Sequence, residues 1–345
     1  MPTSTYAQAG VDVRRARLIQ KSLAERFEAT FAFRSGKRGA PLRRIGHYAG
    51  VVDLGRGNAL TMHTDGVGTK VLVAQEMRKF DTIGIDCVAM TVNDLVCLGS
   101  EPVALLDYIA LEKQDDGLVA ELAKGLSEGA RASSAAIVGG ETAVMGDVIK
   151  GRGGTGFDLA SMGVGFVKSD AIVDGSATRQ GDAVLGVESS GLHSNGYTLA
   201  RKVLRGPLGE RVASLGTTLG EALLTPTSIY VEPVLESLRR SELHGIAHIT
   251  GGAFSKLARL VRGRRLMFDL SLPPAPPIFR LIEENGVARR EMYRTFNMGI
   301  GMVLVVPESQ AGRVCRIVKG SGFATYEIGE VKRGTGVKVD GFRTS

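Results

Sequence analysis

Met62-His63-Thr64-Asp65-Gly66-Val67-Gly68-Thr69-Lys70 is the stretch whose reading decides the fold. Apolar residues spaced from Ala59 to Met62 read as a strand that stops at an acid followed by two glycines, a threonine and a lysine. That is a strand, a tight turn and a helix start. Gly66 and Gly68 let the backbone bend and bring N–H groups close to an anion, and Thr69 is placed to cap a helix over residues 70–77, whose N-terminus favours negative charge. An acid facing such donors is out of place unless a cation is shared, so Asp65 points to Mg2+ bridged to a phosphate. The same residues also suit a hairpin-like turn with Asp65 and Lys70 in solvent.

The next segment reads as one buried helix over residues 81–99, closed by Gly99 with Pro102 beyond it. Asp86 and Asn93 are seven residues apart and share a face, with Asp94 a quarter-turn away. Polar groups in so apolar a helix need partners. A bound ligand supplies them, and so does the capping of a neighbouring loop.

The 345 residues suit about two domains, and 43% hydrophobic content is ample for their cores. No apolar run approaches about 18 residues and no signal-peptide core opens the chain, so neither a membrane span nor secretion is expected, and the cytoplasm is. Cys87, Cys97 and Cys315 are odd in number, lack Cys-x-x-Cys spacing and read as buried thiols rather than a zinc site or a disulfide frame. The net charge of +7 collects early, from Arg14 through Lys21 to Arg44. A basic arm of that kind could bind RNA, but no nucleic-acid motif accompanies it, and attraction for phosphorylated small molecules accounts for it; no nucleic-acid partner is expected.

Further along, a strand over 103–111 carries Asp107, and a helix over 116–133 lines up Leu118, Leu122 and Leu126. A strand over 135–138 then leads into a Gly139-Gly140-Glu141-Thr142 turn, which repeats the logic of the first loop. Gly151 to Gly156 imitates a dinucleotide fingerprint but precedes a strand and opens no helix, so it reads as a mobile loop. A boundary near Lys168 divides the chain into 1–169 and 170–345. Beyond it come a strand over 183–188, a glycine-framed loop carrying His193, Ser194 and Asn195 ahead of a helix over 197–204, and Thr225-Pro226-Thr227 capping a helix through 230–238. His248-Ile249-Thr250-Gly251-Gly252-Ala253 is another strand-to-helix turn. Strands over 302–306 and 326–331 flank a helix over 308–319.

Asp65–Lys70, Thr82–Asp86, Val92–Leu95, Leu106–Tyr108, Gly191–Gly196, His248–Ala253 and Glu291–Gly301 together resemble the aminoimidazole ribonucleotide synthetase family, also called phosphoribosylformylglycinamidine cyclo-ligase. The superfamily's Asp followed by Gly-Ala-x-Pro stands here as Asp94 and Gly99-Ser100-Glu101-Pro102, with Ser100 for Ala. Leu192 replaces a proline of bacterial members, Ala253 replaces a glycine, and residues 143–147 depart from the family pattern. The resemblance spans nearly the whole chain.

It implies an α/β (α+β) two-domain synthetase. An N-terminal four-stranded mixed sheet (1–169, ATP-binding and dimerising) would join its partner's in a homodimeric barrel, flanked by a C-terminal α/β domain (170–345) that contributes to the substrate site. The implied reaction is ATP-dependent closure of formylglycinamidine ribonucleotide to 5-aminoimidazole ribonucleotide, with ATP and Mg2+ as cofactors. Asp65, Asp94 and Glu141 are the implied metal ligands. Lys21, Gly66, Gly68, Thr69 and Asn93 join them at ATP. Lys21 follows Tyr6 to Asp12, a segment similar to one whose neighbouring lysine reaches ATP in the family. His193, Ser194, Asn195, Gly251 and Gly252 take the substrate, and Asp65, Lys70, Asp94 and His193 are the catalytic set. His193 suits either a general base or a ligand-positioning group. Rival readings are a selenophosphate synthetase, which needs a reactive cysteine ahead of Cys87, a thiamine-phosphate kinase, which would lack the His-Ser-Asn-Gly segment, and a non-catalytic RNA-binding protein.

Overall fold

The computed structural model describes residues 13–344, so Tyr6 to Asp12 lie outside the described residues. In chain order the first half contains α1 (Val13–Glu28), β1 (Gly50–Gly55), β2 (Asn58–Gly66), α2 (Val71–Met77), α3 (Ile83–Val96), β3 (Glu101–Leu111), α4 (Asp116–Ser133), β4 (Ala136–Val144) and β5 (Phe157–Lys168). These strands form one five-stranded mixed sheet in the order β1-β2-β5-β3-β4, with only the β3–β4 pair parallel. The sheet is one strand wider than the resemblance implied.

The second half contains β6 (Ala183–Glu188), α5 (Tyr197–Val203), β7 (Arg211–Val212), β8 (Thr217–Thr218), α6 (Leu219–Leu224), α7 (Val231–Arg240), β9 (Gly245–His248), β10 (Leu266–Leu270), α8 (Pro277–Glu284), α9 (Arg289–Thr295), β11 (Ile300–Val306), α10 (Ala311–Gly320), β12 (Thr325–Arg333), β13 (Gly336–Val339) and β14 (Phe342–Arg343). A seven-stranded sheet runs β14-β13-β10-β12-β6-β11-β9. Strand β11, Ile-Gly-Met-Val-Leu-Val-Val, lies between β6 and the edge strand β9 and is buried along its whole length, as expected of a strand covered on both faces.

Helix α3 packs against α4, β2, β3 and β5 and reaches α7 and β9 of the second half, and glycines bring it close to α4 and β5. A Cβ on Gly84 would lie 2.2 Å from the Leu126 backbone nitrogen, and one on Gly129 would lie 2.7 Å from Val88, so α3 and α4 touch backbone to backbone. On its other side a Cβ on Gly163 would meet Thr91 at 2.6 Å, which lays α3 flat on β5. All but one of its fourteen residues are buried, Asp86, Asn93 and Asp94 included. Burying three such groups is tolerable only if each finds a partner.

Several local expectations are corrected. Thr69 caps nothing: a 3₁₀ turn over Gly68–Lys70 precedes α2, and the Thr69 hydroxyl meets that of Thr198 at 3.1 Å. Gly139 to Thr142 is not a turn after a strand, because β4 runs straight through it to Val144. Thr227 does not cap α7; Tyr230 precedes that helix, and Thr227 turns to Asp86 instead. The Gly151–Gly156 loop is tied down, with the amides of both terminal glycines donating to Glu112. Cys87 and Cys97 are buried as free thiols, whereas Cys315 is only partly covered.

Candidate active site

Two polar clusters leave α3 in different directions. In the first, Asp86 Oδ1 accepts from the Thr227 amide (2.8 Å) and hydroxyl (2.5 Å), while Oδ2 stands 2.7 Å from Lys70 Nζ. Lys70 also donates to the Thr225 carbonyl at 2.7 Å and lies 5.7 Å from the centre of the Tyr197 ring. One turn on, Asn93 donates to the Ser228 carbonyl and accepts from the Tyr230 amide, both at 2.8 Å. The Lys70–Asp86 pair is completely buried. Lys70 is thus not available to a phosphate, and Asn93 has spent its amide on the 225–230 segment. Asn93 was expected at ATP and Lys70 in the catalytic set as a cation for the phosphates, and the loop-capping alternative holds for Asp86 and Asn93.

The second cluster surrounds Asp94. Its Oδ1 is 2.8 Å from His248 Nδ1, and its Oδ2 is 3.4 Å from His63 Nε2, which also stands 3.9 Å from Asp65. Burial alone would raise the Asp94 pKa, but Lys256, the His248 hydrogen bond and His63 outweigh it and hold the carboxyl well below its usual range. Burial would likewise lower the His63 pKa, and the carboxylates of Asp65 and Asp94 reverse this and raise it. His248 and His193 are fully buried and held below the ordinary histidine value, mainly by burial. Their rings lie 6.4 Å apart.

The hydrogen bonds assign the tautomers. An ionised Asp94 accepts from His248 Nδ1–H, which leaves Nε2 as a bare acceptor, and that atom is buried without a partner. The Ser190 amide donates to His193 Nε2 at 3.3 Å, so Nδ1 carries the proton, and it too lacks a partner among the described residues. One acceptor and one donor are therefore left open to a ligand. Unpaired buried polar atoms are uncommon, and this pair sits where two glycine turns meet: a Cβ on Gly251 would lie 3.3 Å from Asn195 Oδ1. Ser194 reaches Thr227 at 3.2 Å. His193 and Ala253 hold left-handed backbone (φ 61° and 44°), strain of the kind found at ligand sites.

Asp65 and Asp94 are thus brought to one place, with Gly66 at the end of the same strand, whereas Glu141 is not brought there. Asp65, Ser161, Asp107 and Gly140 form one row across β2, β5, β3 and β4. Glu141, one residue on, is paired with Tyr108 and points from the opposite face. Among the described residues no three His, Cys, Asp or Glu side chains are grouped to hold a metal ion. Asp65 suits Mg2+ as a hard, part-exposed oxygen donor, and Asp107, in the same row, is a second such donor that the sequence reading did not select; Mg2+ typically takes one or two carboxylates plus phosphate oxygens. Lys21 stands in solvent on α1, 3.9 Å from Glu25. His63, His248 and Lys256 escaped the sequence reading as well. His63 and His248 do lie inside motifs already singled out, where the glycines and acids drew attention away from them.

Fold and site define a two-domain protein of the AIR synthase related class. Residues 46–167 match the family model for the N-terminal domain of AIR synthase related proteins, and residues 179–341 match that for the C-terminal domain. The chain is 48% identical over 338 residues to a phosphoribosylformylglycinamidine cyclo-ligase from Thermococcus kodakarensis, covering 98% of each chain, and 46% identical over 338 residues to that of Pyrococcus furiosus, again covering 98% of each. The fold is similar to that of a thiamine-monophosphate kinase from Stenotrophomonas maltophilia, with a TM-score of 0.65 at 19% identity, covering 91% of this chain and 96% of that one. The chain belongs to the phosphoribosylformylglycinamidine cyclo-ligase family.

Proposed function

We propose that the protein is an ATP-dependent ligase that closes the ring of formylglycinamidine ribonucleotide to give 5-aminoimidazole ribonucleotide, ADP and phosphate. The observation that carries this reading is the pair of open imidazole atoms beside the Asn195–Gly251 crossing, within reach of the Asp65–Asp94 end of the first sheet. An amide carbon resists attack by an amidine nitrogen. In the reaction the amide oxygen attacks the γ-phosphorus and ADP departs. The amidine nitrogen then adds to the activated carbon, and phosphate leaves with that oxygen.

His248 Nε2, oriented by Asp94, is the atom we assign to take the proton that the attacking nitrogen gives up. His193 Nδ1–H donates to the substrate and positions it. Ser194, Asn195 and the Gly251–Gly252 turn complete the substrate side, while the backbone at Gly66 and Gly68 faces the ATP phosphates. Asp65, with Asp107, would hold Mg2+, which supplies neutralisation of phosphate charge; Asp94, expected as a third ligand, faces His248 and His63 instead. Glu141 does not join them within one chain.

We place the domain division at 169/170, between β5 and β6, and the enzyme in the cytoplasm; among the described residues no helix is long and apolar enough to cross a membrane. A homodimer is supported by the outer face of the first sheet. There Met62, Leu106, Tyr108, Met162 and Phe166 are each at least 36% exposed, an apolar patch of the sort that marks an interface. The test is direct: purified protein with Mg2+, ATP and formylglycinamidine ribonucleotide yields ADP and the aminoimidazole in equal amounts. Phosphorylation of thiamine phosphate without ring closure would replace this reading with the kinase one.

A further inference from the structure

The 3₁₀ helix Ala253–Val261, which follows the Thr250–Gly252 turn, carries two cations that the reaction above does not use. Lys256 Nζ donates to the Thr250 hydroxyl and lies 5.7 Å from the centre of the Tyr48 ring; the Arg259 guanidinium lies over the same ring at 4.9 Å. Both side chains are partly buried, and among the described residues neither is within ion-pair distance of a carboxylate. Among the described residues, the Tyr48 hydroxyl and both nitrogens of His47, whose ring packs edge-on to Tyr48 at 5.4 Å, are also without hydrogen-bond partners. Burial, followed by the charge on Arg259, pushes the His47 pKa down to about 4. Burial lowers that of Lys256, and the field of Asp94 only partly restores it.

Two cations with no carboxylate at ion-pair distance and an orphaned hydroxyl gather around one ring, at the start of a helix and beside a left-handed Ala253; the field of Asp94 and the His47 carbonyl, which accepts from Arg259 at 3.4 Å, offset their burial only in part, and an anion would complete the arrangement. We propose that Lys256 and Arg259, with the Thr250–Ala253 turn, form a subsite for a phosphate group beside the Asp94–His248 pair. The inference rests on the cyclo-ligase reading for its source. That source is either the 5′-phosphate of the ribonucleotide or the terminal phosphate of ATP, which share one chemistry. Tyr48 acts as the floor that holds both cations apart, and its hydroxyl adds a donor.

The test uses the full-length enzyme and Lys256→Met, with Lys256→Arg as the conservative control. Without ligand, Lys256→Met melts close to wild type, because the desolvation cost of a partly buried ammonium with no ion-pair partner offsets its hydrogen bond to Thr250 and its field on Asp94. Millimolar inorganic phosphate or ribose 5-phosphate raises the melting temperature of wild type, does so partly for Lys256→Arg, and leaves Lys256→Met unmoved. In turnover, loss of a charged hydrogen bond to phosphate raises a KM by about tenfold to a hundredfold. A rise confined to the ribonucleotide assigns the subsite to its 5′-phosphate, and a rise confined to ATP assigns it to the nucleotide. A phosphate shift that persists in Lys256→Met, or KM values that do not move, overturns the subsite. So does a variant that melts lower with both KM values intact, which would make Lys256 structural. Wild type that forms no product, yet responds to ribose 5-phosphate through Lys256, would sink the cyclo-ligase reading and leave the subsite standing.

Discussion

Asp86 and Asn93 on one side of α3, and Asp94 on the other, began as one group of buried polar residues with one expected role. They have opposite fates. Asp86, Lys70 and Thr227, and Asn93 with the Ser228 carbonyl and Tyr230 amide, are met by one another across the two halves of the chain, Asp86 Oδ2 through its ion pair with Lys70. The Asp94 side is incomplete: His248 Nε2, His193 Nδ1 and the Tyr48 hydroxyl find no partner among the described residues. A satisfied buried network fixes where two parts of a molecule sit, whereas an unsatisfied one is held in readiness for something else. The difference separates scaffold from site on a single helix.

The largest expected effect breaks the scaffold side. Lys70→Met leaves Asp86 charged and buried with no counter-ion, so unfolding by urea should show a loss of about 3–5 kcal/mol, and Lys70→Met with Asp86→Leu should recover much of it. A Lys70→Met protein of unchanged stability that had lost only turnover would return Lys70 to the phosphates. Asn93→Ala should cost about 1–3 kcal/mol in the same experiment through the Ser228 and Tyr230 groups it strands.

His248→Gln sharpens the site side. It should reduce kcat by about a hundredfold or more, the usual worth of a positioned proton acceptor, with a melting temperature close to wild type.

The smallest effect is in pH. His193, His248 and His47 are held below their ordinary pKa in the folded state, so as pH falls below about 6.5 the unfolded chain takes up protons that these folded groups refuse, and stability falls. His63 runs the other way. Its folded pKa is raised, so its contribution is fully present below about 6.5 and is lost as pH rises through the folded value. Melting curves of His63→Gln against wild type should therefore diverge at acid pH and converge at alkaline pH.

The strand that ends at Asp65-Gly66, the helix over 116–133 and the strand over 183–188 were legible because each is decided by local residues. The glycine turns at 191–196 and 250–253 were legible as turns for the same reason. What the sequence withheld was direction. Whether Lys70 faces a phosphate or Asp86 depends on a segment 155 residues away, and Glu141 reverses its face because β4 continues where two glycines suggested a stop. His63 and Lys256 become functional candidates only when β2 and the 3₁₀ helix are laid beside α3. Spacing along a chain carries no trace of such neighbours.

The most direct measurement is turnover of formylglycinamidine ribonucleotide by wild type and by Asp94→Asn, each paired with its melting curve. The account predicts that wild type forms ADP and aminoimidazole ribonucleotide in equal amounts, and that the variant is slower by about a hundredfold or more while melting within a few degrees of wild type. A variant as fast as wild type would remove Asp94 and its two histidines from the chemistry.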